Sequence, residues 1–209
     1  METIKKIFAA ILFLACVSYA NAQTAATTAP LQNAFSASYI SENKGNYAEA
    51  ITALTNVYDE KNYELNLRLG WLNYEAKNYP VSITYYQKAI DLRPYGIEAR
   101  LGYVKPASAL EKWDDVLAQY NAILKIDPQN TTTNYYAGMI YYNRKDYTKA
   151  ATYFENVVNL YPFDYTSSLM LGWSYLMLGK NADAKILFEK VLLISPGDTS
   201  ALDGIKKAG

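Results

Sequence analysis

Catalysis is usually built from acid–base, nucleophilic or metal-binding side chains, and this sequence offers few of them in useful arrangements. Histidine, the commonest general base and a frequent zinc ligand, is absent, and the only cysteine is Cys16. Asp114 and Asp115 suggest a metal pair, but adjacent helical residues do not face one another, and an acidic pair suits the first turn of a helix. Neither a glycine-rich phosphate loop nor a nucleophile–base pair is visible. The sequence therefore predicts a non-catalytic protein without metal or cofactor.

The overall charge is balanced, with 20 basic and 20 acidic residues. A nucleic-acid-binding protein needs a basic face, so the composition argues against a nucleic-acid partner. Tyrosine is unusually frequent, at 21 residues of 209.

The sequence contains a repeating unit of 34 residues, and residues 131–164 are its clearest copy. Small and apolar residues three and four apart predict one helix around residues 134–143 and a second from 147 to 160. The polar segment 143–146 lies between them, and Ala137 and Gly138 allow the two helices to approach closely. Each unit is therefore predicted to be a helix hairpin.

The same residue types stay in phase over four periods. Proline recurs at Pro94, Pro128, Pro162 and Pro196, and a large ring recurs at Tyr86, Tyr120, Phe154 and Phe188. An aromatic residue opens the second helix at Tyr79, Trp113 and Tyr147, and Asn181 replaces it in the last copy. Over residues 31–198 this pattern resembles the tetratricopeptide-repeat family, whose unit is a 34-residue helix–turn–helix. The resemblance implies an all-α, right-handed α-solenoid of about five hairpins.

The repeat domain is predicted to cover residues 31–209. Its hairpins are residues 31–62, 63–96, 97–130, 131–164 and 165–198, followed by a capping helix at 199–207. The third hairpin is expected to be irregular at 102–108, because Val104 takes the place of a small residue and Pro106 falls inside a helix. Its first helix should either slide by two residues or bend.

The amino terminus resembles an export signal. Residues 1–22 combine Lys5 and Lys6 with an apolar run at 7–17, and Ala20-Asn21-Ala22 has the form of a cleavage site. Residues 23–30 would then be a flexible tether, and the mature chain would be periplasmic or secreted. Two alternatives are a membrane anchor, for which the apolar run is short, and a lipid anchor at Cys16.

The family resemblance also implies which residues line the concave groove, since ligands contact fixed positions of each first helix. These positions carry mostly apolar and aromatic side chains: Phe35, Tyr39, Leu67, Trp71, Tyr74, Lys105, Tyr135, Met139, Tyr142, Leu169 and Trp173. Among these residues only Lys105 is basic, which argues against the family's carboxylate clamp for chaperone tails. We expect a groove for an apolar or aromatic-rich protein segment, with Trp71 and Trp173 as the main anchors.

Two other interpretations stay open at this point. Part of the aromatic stripe could pack between neighbouring first helices and leave little surface for a ligand. Aromatic faces also stack on sugars, so a glycan- or polymer-binding module using Trp71 and Trp173 is the alternative function. Carboxylates and amides, which usually accompany aromatic residues in sugar sites, are scarce along this stripe.

Overall fold

A computed structural model describes residues 28–209 of the chain and contains eleven helices and no strand in that range. The first helix, α1, covers residues 28–43. The others are α2 (Tyr47–Thr55), α3 (Tyr63–Glu75), α4 (Tyr79–Leu92), α5 (Ile97–Ala109), α6 (Trp113–Ile126), α7 (Thr131–Asn143), α8 (Tyr147–Leu160), α9 (Tyr165–Met177), α10 (Asn181–Ile194) and α11 (Thr199–Ala208). The all-α array of helix hairpins is confirmed.

The predicted export signal at residues 1–22 lies outside the described residues. Of the predicted tether, residues 28–30 are helical and belong to α1, and the rest lies outside the described range. The helices α3, α5, α7 and α9 begin 34 residues apart, at the start of each repeat after the first, and α11 follows the last repeat at the same spacing.

The chain divides into two compact units at the boundary between Pro94 and Tyr95. Unit 1, as far as it is described, consists of α1–α4, and unit 2 consists of α5–α11. The core of unit 1 is aliphatic and consists of Ala34, Ala50, Leu54, Leu65, Leu69 and Leu72. Unit 2 has a cluster around Phe154 and another around Phe188, both completely buried.

Glycine allows the two helices of a hairpin to cross closely. In α7, a Cβ added to Gly138 would lie 2.7 Å from the Phe154 ring of α8, closer than real Cβ contacts allow. Gly70 has the same relation to Tyr86 at 2.9 Å. The ring of the second helix therefore lies directly on the backbone of the first, which is why a small residue recurs at this position.

The hairpin turn also has a repeated backbone geometry. The residue two positions before each second helix has a positive φ: it is Gly45 (75°), Lys77 (60°), Glu111 (55°), Lys145 (61°) and Gly179 (73°). Only glycine adopts this left-handed conformation without steric cost. Three of these five turns therefore carry backbone strain that the two glycine turns avoid.

Buried asparagines fix two of the joints between repeats. The Asn66 side-chain amide donates to the carbonyls of Glu60 and Asn62, and its oxygen accepts a hydrogen bond from the Tyr58 hydroxyl. Asn134 donates in the same way to two carbonyls in the loop before α7. The carbonyls of Glu60 and Pro128 receive these side-chain donors, whereas the carbonyls of Asn62 and Asn130 also accept backbone N–H groups at the start of the following helix.

Of the two alternatives expected for the third hairpin, a slide or a bend, the two-residue slide is wrong. Helix α5 is unbroken around Pro106, it ends at Ala109, and α6 begins at Trp113, in register with the other hairpins. Tyr103, Val104 and Ala107 on α5 are buried. Tertiary packing of this face stabilises the helix against the proline penalty of about 3 kcal/mol.

Candidate functional site

None of the eleven predicted groove residues is fully buried. Tyr39 and Lys105 are exposed, and the other nine are partly buried. These first-helix residues form two groups, one on α1 and α3 of unit 1 and one on α5, α7 and α9 of unit 2.

In unit 1 an ion pair joins α1 to α3. Glu42 accepts a hydrogen bond from Arg68 Nη2 at 2.6 Å and another from Trp71 Nε1 at 2.6 Å. The Arg68 guanidinium also lies 3.9 Å from the centre of the Tyr39 ring, a cation–π arrangement. The polar edge of Trp71 is therefore used within the chain, and a ligand would meet its ring rather than its N–H group.

Electrostatics keep this carboxylate charged. Burial raises the pKa of Glu42, but the hydrogen bonds from Arg68 and Trp71, together with the Arg68 charge, outweigh burial and lower the pKa below its ordinary value. The ionised carboxylate fixes the orientation of both donors. As a result, Tyr39 and Trp71, two of the expected ligand contacts, are held by one set of interactions.

Aromatic rings extend this surface along the first helices of unit 1. Phe35 and Tyr39 lie 6.4 Å apart on α1, and Trp71 and Tyr74 lie 5.9 Å apart on α3. Phe35 and Trp71 also pack against the core of unit 1. This agrees with the interpretation in which part of the aromatic stripe serves packing. The predicted residues thus serve packing with part of their surface and leave part of it exposed.

In unit 2, α7 contributes three predicted residues. Tyr135 lies 5.9 Å from the Phe154 ring, and Tyr142 lies 5.3 Å from Tyr147 at the start of α8. Met139 packs against the same cluster as Tyr135 and Tyr142 and remains partly exposed. This group is a half-buried apolar face.

The predicted anchor Trp173 on α9 is in contact with the last helix. Its ring packs edge-to-face on Phe188 at 5.1 Å, and its Nε1 donates to Ser200 Oγ at 3.0 Å. The Lys207 ammonium lies 5.2 Å from the centre of the same ring. Helix α11 thus interacts with Trp173 through Ser200 and Lys207, and Leu169 packs against the same cluster.

Two neighbouring open cavities of about 360 and 300 Å3 lie around Trp113 in unit 2, a region that was not predicted from the sequence. Trp113 and Arg144 line both cavities. Asp114, considered above as half of a metal pair, forms an ion pair with Arg144 at 2.9 Å. The signal for this region in the sequence is Trp113 itself, because the repeat pattern explains only that an aromatic residue opens the second helix here.

Within residues 28–209, no group of three or more histidine, cysteine, aspartate or glutamate side chains could hold a metal ion. The same part of the chain contains no helix with the length and hydropathy needed to cross a membrane.

Three family models, each described as a tetratricopeptide repeat, match residues 42–97, 132–164 and 166–197, together more than half of the chain. The chain therefore belongs to the tetratricopeptide-repeat family. Repeats of this kind are typically non-catalytic and bind other proteins, which supports an interaction scaffold. No curated protein matches the sequence.

Solved structures share the fold. A tetratricopeptide repeat protein from Parabacteroides merdae aligns with a TM-score of 0.71 and 18% identity, covering 86% of this chain and 72% of that one. The MamA protein aligns with a TM-score of 0.69 and 19% identity, covering 78% of this chain and 91% of that one. A structure of MamA from Desulfovibrio magneticus that starts at residue 41 aligns with a TM-score of 0.67 and 17% identity, covering 81% of this chain and 97% of that one. At these identities the likeness establishes the fold alone.

Proposed function

We propose that this chain is a protein-interaction scaffold of the cell envelope. It binds an apolar or aromatic-rich segment of a partner protein on the first-helix faces of its repeats. The observation that carries the proposal is the exposure of the predicted groove residues: all eleven keep part of their side chain at the surface. A face of half-buried rings held in place by packing is a suitable surface for a partner, because little side-chain freedom is lost on binding.

The internal contacts divide the predicted residues into supports and ligand contacts. Trp71 and Trp173 each donate their indole N–H within the chain, so their main role is to hold the surface. Tyr39, which is 49% exposed, and Met139 offer more accessible surface to a partner. This use of the two tryptophans also weakens the alternative glycan site on Trp71 and Trp173, because sugar recognition needs free polar groups beside a ring.

A pull-down from envelope extract tests the proposal. Tyr39→Ser and Met139→Glu change the proposed surface, and Thr84→Glu and Thr152→Glu are matched controls at exposed positions on second helices. We expect wild type and both controls to capture the same protein and the two groove variants to lose it. Equal capture by all variants would refute binding on the first-helix faces, provided circular dichroism shows that each variant is folded.

The envelope location rests on the sequence of residues 1–22. Export with cleavage after Ala22 predicts that the purified mature protein begins at Gln23. Amino-terminal sequencing of protein from fractionated cells tests this prediction. An intact Met1 in the cytoplasmic fraction would contradict it, and a lipid-modified Cys16 would support the anchored alternative.

A further inference from the structure

Trp113 lacks the aromatic neighbour that the equivalent residue has in two other hairpins. In two other hairpins, the aromatic residue that opens the second helix packs on a tyrosine of its own first helix: Tyr79 on Tyr74 at 5.9 Å and Tyr147 on Tyr142 at 5.3 Å. The third hairpin has Ser108 at the position of these tyrosines. Trp113 accordingly keeps 42% of its surface exposed.

The exposed indole is bordered by groups that form hydrogen bonds. Trp113 lines both cavities, which have volumes of about 360 and 300 Å3. The other lining residues supply carboxylates, an ammonium, a guanidinium, an amide and one aliphatic side chain: Glu111, Lys112, Asp114, Asp115, Ile140, Asn143 and Arg144. Several donors and acceptors thus converge beside one large aromatic face.

We propose that this region of unit 2 is a binding site for a neutral sugar ring or short oligosaccharide. The indole would stack on the apolar C–H face of a sugar ring. The carboxylates would accept hydrogen bonds from hydroxyl groups, and Asn143 and Arg144 would donate to hydroxyl oxygens. Both cavities are open to solvent, so a sugar ring that lies on the indole would stay partly exposed, as expected for weak binding.

The charge around the cavities favours a neutral ligand over an ionic one. The carboxylates of Glu111, Asp114 and Asp115 face two cations, Lys112 and Arg144. Asp114 and Arg144 already form an ion pair with each other at 2.9 Å. Three acids and two bases leave a net charge of only −1, so attraction and repulsion nearly cancel for an ionic ligand, whereas hydroxyl groups can donate to the carboxylates and accept from the basic groups.

This site does not involve the first-helix residues of the protein-binding proposal. Trp113 begins a second helix, α6, and Arg144 follows the first helix α7 in a hairpin turn. Loss of sugar binding and loss of the protein partner are therefore separable results, and either proposal can fail while the other holds.

Titration of the full chain with maltohexaose, cellohexaose and chitohexaose, followed by tryptophan fluorescence and calorimetry, tests the site. We expect at least one oligosaccharide to bind in the millimolar range or tighter, independently of added salt, because a neutral ligand is not screened. Trp113→Ala should weaken binding about tenfold or more, as loss of a central aromatic contact typically does, and Trp113→Phe should restore part of it. Tyr161→Ala, which removes an exposed ring elsewhere in unit 2, should bind like wild type.

Three outcomes would overturn the proposal. They are the absence of binding by all three oligosaccharides, equal binding by wild type and Trp113→Ala, and equal losses in Trp113→Ala and Tyr161→Ala. A hexalysine peptide serves as the ionic comparison, and salt-sensitive binding of this peptide at Trp113 in place of the sugars would also refute a neutral ligand. Circular dichroism establishes that each variant is folded.

Discussion

The ion pair between Glu42 and Arg68 is a contact in unit 1 whose removal has a clear expected result. Glu42 accepts two hydrogen bonds of 2.6 Å, and the side chains of Glu42 and Arg68 are only 19% and 9% exposed. Glu42→Gln preserves the size of the side chain and removes its charge. The guanidinium of Arg68 then remains largely buried without its counter-charge. Because glutamine has only one side-chain oxygen, its NH2 group must also face the N–H donor of either Arg68 or Trp71.

The size of the effect follows from this burial. A hydrogen bond to a charged group contributes about 1.5–3 kcal/mol, and partial exposure of Glu42 reduces the figure, so we expect a loss of about 1–3 kcal/mol in the free energy of unfolding. Glu64→Gln is the matched control, because Glu64 faces Arg93 at 3.4 Å and both side chains are more than half exposed. Removing that exposed pair should cost no more than about 1 kcal/mol.

The effect should also depend on pH. Burial raises the pKa of Glu42, but its hydrogen bonds with Arg68 and Trp71 outweigh burial, and the pKa in the folded state lies below the ordinary value of 4.5. A lowered pKa means that the stabilisation is complete above pH 4.5 and is lost as the pH falls through the folded-state pKa. The difference between wild type and Glu42→Gln should therefore shrink in acid.

Urea denaturation followed by circular dichroism measures these differences at neutral pH and again below pH 4.5. Equal losses for Glu42→Gln and Glu64→Gln would refute the argument that burial makes the first pair important. A difference between wild type and Glu42→Gln that stays constant into acid would show that the charge of Glu42 is not its source.

Three further predictions concern unit 2. Phe154→Ala should lower the free energy of unfolding by about 3–5 kcal/mol because the ring is completely buried, whereas Thr152→Ala, at an exposed site, should cost less than about 0.5 kcal/mol; urea denaturation measures both. Lys145→Gly should raise the melting temperature, since it relieves a φ of 61° that costs about 1 kcal/mol. Burial and the hydrogen bond to Glu155 raise the pKa of Tyr175 to about 12, so stability should fall as the pH rises from 10 to 12, and less so in Tyr175→Phe.

The helices and their register were predictable from the sequence because the repeat unit constrains residue size at fixed positions. A small residue such as Gly138 recurs in phase with a large ring such as Phe154 because the ring lies against the glycine. This alternation of small and large side chains can be recognised in the sequence. The exception was Pro106, where a local rule predicted either a slide or a bend; the slide does not occur, because packing of the same helix keeps it in register. Local propensity was the weaker of two opposing effects there.

The hydrogen bonds between side chains of different helices were not predictable in the same way. The contact of Trp71 with Glu42 joins residues that are 29 positions apart, and no periodic pattern distinguishes a paired indole from a free one. Trp113 differs in this respect, because the replacement of a tyrosine by Ser108 is visible in the sequence. Comparison of the hairpins position by position would have identified Trp113 as the ring without its usual neighbour.

The central claim is that partner proteins bind on the first-helix faces, and crosslinking in living cells tests it directly. A photoreactive amino acid at Tyr39, which is 49% exposed on α1, is compared with the same group at Thr84, which is exposed on the second helix α4 of the same unit. The account predicts that the group at Tyr39 captures a defined protein and that the group at Thr84 does not. Equal capture at both positions, or capture only at Thr84, would contradict it.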